Sequence, residues 1–283
     1  MKNQSDIRFR ITKDIIFKGF IVLFSVLSGI PLIVILYFII KNGISAINWE
    51  FITNLPKPVG EPGGGVLNAI IGTIILIVIS SIISVPIGIF AGIYLAENKQ
   101  GKVPYFVRLC VEVLQGVPSI VIGIIVYAWV VMPLKSPSAL SGGIALGIMM
   151  LPVIIRSTEE TIRLIPNSLR EASLALGVPY FRTILKVILP AGISGISTGI
   201  LLSIARIAGE TAPLLFTAFG SNFMNWNIFK PIASLPLVIF NYATSPYEEW
   251  ITLAWGASFV LVVLVLGLNL LAKIVARKWK VQF

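Results

Sequence analysis

TEETIRLIPNSLREASLALGVPYFRTILKVILPAG, residues 158–192, is a polar stretch between two apolar runs, yet it carries helix signals along its length. Ser168 precedes Glu171 by three positions, the spacing at which a hydroxyl and a carboxylate cap a helix start reciprocally, so a helix N-terminus is predicted there. Gly177 suits the left-handed residue that follows a helix, and Pro179 suits the first turn of the next one. The segment therefore reads as two short helices hinged at Gly177. Leu169, Ala172 and Leu176 recur at helical spacing and leave an apolar stripe without an evident partner in the chain. A wet loop with an ordered apolar face is expected to dock against something else.

The flanks of this loop set the class. Of 283 residues, 57% are hydrophobic and 12% charged, with mean hydropathy +0.95; soluble domains are roughly a quarter charged. Runs long enough to cross a bilayer, about 20 residues each, occur at 19–40, 67–96, 111–133, 138–155, 191–219 and 251–272. They are apolar all round, without the ~10-residue alternation of barrel strands, so helices are expected. The predicted fold is all-α: a polytopic membrane protein with six transmembrane helices, forming one domain over 19–283 behind a tail at 1–18. The first run is too long, and its N-terminal flank too extended, for a cleaved signal peptide.

Lys and Arg mark the cytoplasmic side. The N-terminal tail carries Lys2, Arg8, Arg10, Lys13 and Lys18, and the C-terminus carries Lys273, Arg277, Lys278 and Lys280. The loops 97–110 and 156–187 are basic as well. Of the 22 Lys and Arg residues, only Lys41, Lys57, Lys135 and Lys230 fall on the other side, and Arg206 alone falls within a span. Both termini are thus expected in the cytoplasm. The net charge of +10 follows from topology and calls for no nucleic acid. Cys110 has no second cysteine to pair with, and there is no His, which leaves no metal cluster of usual spacing. Gly101 and Lys102 are followed by Val103 and lack the upstream glycine of a phosphate loop, so no cofactor is expected in this chain and ATP must be handled by another protein.

Three further stretches carry alternatives. Gly63, Gly64 and Gly65 precede a helix start and read either as an anion cradle of backbone N–H groups or as a flexible lead into the span. Gly and Pro inside the spans, as in SVPIGIFAG (84–92), read as close-packing devices or as kinks along a path. The segment 220–249, with PIASLPLVIFNYATSP at its centre, is too short and too Pro-broken to cross twice; it reads as a re-entrant, gate-like element facing the outside or as a loop resting at the interface.

ARIAGETAP, residues 205–213, puts Arg206 and Glu210 at i and i+4, where they are expected to share a face of span five. Each ionised group near the bilayer centre costs about 2.5–3.5 kcal/mol, so the pair either neutralises itself structurally or works. In the working case Glu210 orients Arg206 and leaves its planar fork free for an oxyanion. Arg156, at the end of span four, adds a second positive group at the cytoplasmic mouth or merely anchors the helix. With Ser203 and Thr211 as hydroxyl donors, the ligand is expected to be a small tetrahedral anion. Gly192-Ile193-Ser194-Gly195 imitates a serine-protease motif, but the base that such chemistry needs is missing. A passive anion channel would explain the charged pair but not the ordered loop.

EASLALGVPYFRTILKVILP (171–190) resembles the EAA loop of ABC-transporter permeases, with Glu171, Ala172, Ser173, Gly177, Ile188, Leu189 and Pro190 in the pattern and Ser173 replacing the second Ala. The resemblance implies that the loop 158–190 couples to a separate ATPase, with Glu171, Ala172, Gly177, Ser168 and Arg170 in the contact. SGISTGILLSIARIAGETAPLLFTAF (194–219), together with 151–177 and 231–250, resembles the phosphate-specific permeases of PstA type. That family implies a MetI-like fold, a homologous second permease subunit and an ATP-binding cassette ATPase dimer that holds ATP and Mg. It also implies an extracytoplasmic phosphate-binding protein, inorganic phosphate as cargo and a bacterial or archaeal cytoplasmic membrane. By the same resemblance Arg156, Arg206 and Glu210 serve transport. Importers of sulfate or molybdate share the EAA loop and are the rival expectation.

Overall fold

The computed structural model describes residues 4–61 and 63–278. Lys2 and Lys280 of the basic flanks lie outside the described residues, as do the side chains of Arg8, Arg277 and Lys278. The order is α1 Gln4–Ala46, α2 Trp49–Thr53, α3 Leu67–Glu97, α4 Lys102–Gly116, α5 Ser119–Leu134 and α6 Ala139–Leu164. There follow α7 Asn167–Ala175, α8 Tyr180–Ile207, α9 Ala212–Thr217, α10 Leu235–Ala243 and α11 Glu248–Lys278. No named strand occurs among the described residues. Among the described residues five helices are long and apolar enough to cross a bilayer, and six crossings result if α4 and α5 are counted as one.

Proline explains where the helices depart from the predicted spans. The run 111–133 is not one helix: α4 and α5 meet at 108°. Pro118 drives Val117 into extended backbone, at φ −73° and ψ 128°, and the helix cannot pass through it. Span five, expected to reach 219, stops at Ile207. Pro213 in a continued helix would clash with the carbonyl of Gly209, so the chain breaks and restarts as the six-residue α9. The expected tail 1–18 is not separate either. Helix α1 runs 43 residues from Gln4, about 64 Å at 1.5 Å per residue, and touches the rest of the bundle near its C-terminal end, where Gly43 lies against Trp255 and Phe259 of α11.

The centre of the bundle is the parallel pair α3 and α6. Gly143 lies against Ile79, and Gly92 lies against Thr158, where an added Cβ would sit 2.5 Å from the Thr158 Cβ. Pro86 and Pro152 lie inside these helices without ending them. The glycines thus act as the close-packing devices of the first reading. Leu76, Leu146, Met150 and Ile154 fill the core together with Ile207 and Leu214 from α8 and α9. The C-termini of α3 and α6 gather with α7 and the start of α8 at one end, called here the basic end. The loops around α2, α9 and α10 gather at the opposite end.

Two loop expectations are settled by packing. At the opposite end, the N–H groups of Gly65, Val66 and Leu67 already donate to the carbonyls of Leu55, Phe51 and Asn54. A Cβ on Gly65 would lie within 2.8 Å of three carbonyl oxygens, and Gly63 sits beside the Glu50 carboxylate. At Gly65 the N–H is spent and an anion would meet carbonyl oxygens, so Gly65 forms no anion cradle. The centre of 220–249 is a nine-residue helix, α10, held between α3 and α11. Leu235 N–H donates to Thr73 Oγ1 of α3 at 2.9 Å, and Leu235, Leu237 and Tyr242 are buried.

Candidate functional site

The loop between α6 and α8 is shorter than 158–190, because α6 continues through Leu164 and α8 starts at Tyr180. Helix α7 begins behind Pro166, whose fixed φ of −57° suits a helix start, and no side chain caps it. The predicted Ser168–Glu171 capping box is therefore not formed; Ser168 lies one residue inside the helix, too late to cap it. The other end follows expectation. Gly177 has φ +75°, its N–H donates to Leu174 O at 2.9 Å, and Val178 N–H donates to Ser173 O at 3.3 Å. This is a Schellman closure, in which an L side chain at position 177 would be strained. Ser173, which stands in place of the second Ala, is buried and shares a hydrogen bond of 2.9 Å with Thr183 of α8. The two halves of the hinge are thereby pinned.

The apolar stripe is rotated from its predicted position. Leu169 packs inward against the cluster of Ile162, Ile184 and Ile188. Leu164 and Leu176 are each 84% exposed and Phe181 is 71% exposed, so these side chains form the open face with Ala172. Glu171, Ser168 and Gly177 are exposed as well. Arg170 is not: it turns inward, 16% exposed, and bonds Glu97 at the end of α3 at 2.7 Å.

Behind the loop lies a buried ionic cluster that the sequence reading passed over. Glu159 is 2% exposed and accepts from Arg108 Nε of α4 at 2.9 Å and from Arg163 at 2.6 Å. Arg108 also donates to Leu95 O, Asn98 O and Lys99 O, carbonyls at and just beyond the end of α3. The available signal was periodicity, since Glu159 stands four residues after buried Ile155 and three before buried Ile162.

The charged residues of the spans do not assemble into one pocket. Arg206 is in the last turn of α8, and Glu210 comes after that helix has ended, so the two do not share a helix face and form no ion pair among the described residues. Ser203 is buried, and its hydroxyl is spent on Ile200 O of its own helix at 2.6 Å. Thr211 is half-buried at the entry to α9. Arg156 lies well inside α6 rather than at its end, and bonds Glu112 of α4 at 2.6 Å. Ser157, next to Arg156, faces Gly195 and Gly199. Arg206 is seven residues beyond Gly199, so it sits about 10 Å farther toward the opposite end.

Arg206 thus stands level with the middle of α6, near Ile207 in the core, yet its side chain points out of the bundle and is exposed. An arginine at that depth cannot face lipid tails without a cost of about 2.5–3.5 kcal/mol. The face that carries Leu202, Arg206 and Gly209 must be covered by protein or water.

Residues 84–281 match the family described as binding-protein-dependent transport system inner membrane component. The phosphate transport system permease protein PstA of Yersinia pestis is 44% identical over 250 residues, covering 88% of this chain and 85% of that protein. The namesake of Haemophilus influenzae is 38% identical over 277 residues, covering 97% and 98%. Among solved structures, an inward-facing conformation of the MetNI methionine ABC transporter superposes with TM-score 0.66 at 20% identity, over 76% of this chain and 96% of that one.

Proposed function

Since the chain belongs to the family of binding-protein-dependent transport system inner membrane components, we propose that it is the permease subunit of an ATP-driven importer of inorganic phosphate. The observation that carries this reading is the 44% identity to a phosphate permease over 88% of the chain, on a MetI-like helical bundle. The chain is a multi-pass membrane protein with no catalytic role of its own. A second, homologous permease subunit covers the Arg206 face, and the translocation path runs between the two. An ATPase dimer, holding ATP and Mg, seats on the open face of Leu164, Ala172, Leu176 and Phe181 at the basic end. That end faces the cytoplasm with both termini, and an extracytoplasmic phosphate-binding protein delivers the anion to the opposite end.

Within that path Arg206 and Arg156 form successive positive steps rather than a single site. The guanidinium fork of Arg206 meets two phosphate oxygens at once. Glu210, half-buried just past the helix end, accepts from a phosphate hydroxyl and repels fully ionised sulfate.

ATP-dependent uptake of labelled phosphate by vesicles containing the assembled transporter tests this, with and without excess sulfate. Arg206→Gln, compared at equal abundance, should lower uptake about tenfold or more, the scale of losing one charge-assisted hydrogen bond. Full activity would remove Arg206 from the path. Sulfate that blocks uptake would reassign the cargo, and uptake without ATP would mark a passive channel. Glu210→Gln should lower phosphate uptake about threefold and admit more competition from sulfate; uptake and competition both unchanged would refute its role.

A further inference from the structure

Arg170 is the charged residue of the coupling loop that turns inward, donating to Asn167 Oδ1 of its own helix at 2.9 Å and to one carboxylate of another helix. Glu97, the last residue of α3, accepts from Arg170 through Oε1 at 2.7 Å, and its Oε2 accepts from the hydroxyl of Tyr180. The Glu97 and Arg170 side chains are only 14% and 16% exposed. Arg170 precedes the Gly177 hinge and Tyr180 follows it, so Glu97 is bonded to both halves of the loop.

Glu97 is costly in its own helix. The C-terminal end of α3 is the negative end of its dipole, where a carboxylate is disfavoured unless a cation answers it. Arg170 is that cation. Helix α7 has nine residues, too few to be stable alone, and Ser173 is its one fully buried residue. Its attachment to the bundle is therefore thin: the chain link to α6, the inward Leu169, the Ser173–Thr183 bond and the Glu97 pair. Of these, the Glu97 pair is the polar link that ends on α3, beside the apolar cluster that Leu169 shares with Ala96 of α3, and α3 is packed against α6 through Gly88, Gly92 and Gly143.

We propose that Glu97 is a positioning residue for coupling, which carries displacement of α7 by the docked ATPase into α3 through its bonds to Arg170 and Tyr180. The proposal rests on the permease reading above. Without the carboxylate, α7 and the ATPase still meet through the open face, which Glu97 does not touch, and ATP is hydrolysed without moving α3.

The test is the number of phosphate ions imported per ATP hydrolysed by the complete transporter in proteoliposomes. Glu97→Gln should lower that ratio about tenfold while hydrolysis stays within about twofold of the unaltered protein, the scale of one charge-assisted bond. Tyr180→Phe, which loses only a hydroxyl, should lower it about threefold. A ratio unchanged in both variants overturns the proposal, as does a parallel fall of transport and hydrolysis. Should Glu97→Gln fail to assemble, the ratio of Tyr180→Phe decides. If the unaltered transporter carries sulfate instead of phosphate, the cargo reading fails, and the same ratio counted in sulfate still judges Glu97.

Discussion

Arg108→Ala should leave the assembled protein about 3–5 kcal/mol less stable, because it removes one partner of a buried ion pair and leaves the other behind. Glu159 is 2% exposed, and its Oε2 already has no hydrogen-bond partner. The remaining cation, Arg163, is 40% exposed and shares its charge with water. The same substitution strips donors from Leu95 O, Asn98 O and Lys99 O, where α3 ends. The temperature of half-aggregation in detergent, measured beside Arg163→Ala, reads the effect. Arg163→Ala should cost only about 1 kcal/mol, as for a largely solvated pair. Adding Glu159→Leu to Arg108→Ala should recover part of the loss, since removing the carboxylate avoids the stranded charge while the gap left by the Arg108 side chain remains. Equal shifts for Arg108→Ala and Arg163→Ala, or no recovery in the double variant, would mean that the cluster holds no special stability.

Gly72→Ala is the second large effect expected. A Cβ at this position would lie 2.0 Å from Ala233 O and 2.9 Å from Ile232 Cγ1. The first obstacle is backbone, so no rotamer change relieves it. Either α3 shifts or the 231–235 strand of chain lifts off it and breaks the Leu235 N–H bond to Thr73 Oγ1. Overpacking of this kind costs about 1–3 kcal/mol and more when backbone must move, so a loss of ~3 kcal/mol is expected. Release of α10 from its place against α3 should also speed proteolysis near 220–249. Gly19→Ala is the control: nothing lies within 4 Å of that site, and the change should be neutral or slightly stabilising. Equal thermal stability of the two variants would show that the close approach at Gly72 is not needed.

Where sequence and structure agree, the signal is local. Apolar runs about 20 residues long mark helices, and Gly177 ends one by its own backbone freedom. Where they part, a residue elsewhere in the chain intervenes. Pro213 ends α8 before Glu210, so the i, i+4 spacing of Arg206 and Glu210 refers to a helix that does not exist there. Pro166 starts α7 and leaves the Ser168–Glu171 spacing without an end to cap. Both prolines are legible in the sequence, and the backbone restriction each imposes outweighs a favourable side-chain spacing. The burial of Ser203 and the inward turn of Leu169 were not legible, because a helical face becomes interior only when another helix covers it.

By itself the sequence determined that this chain is a helical membrane protein with a structured loop at its basic end, and its motifs carried the family. These follow from the hydropathy, charge and turn chemistry of neighbouring residues, which act at ranges of one helical turn. Only the tertiary structure decided that Arg206 faces outward at mid-bundle, that Arg156 belongs to Glu112, and that Glu97 holds Arg170 and Tyr180. Glu97 and Arg170 are 73 positions apart. An ion pair across that distance exists because α3 and α6 pack closely enough to bring their ends together, and no pattern within either segment encodes it.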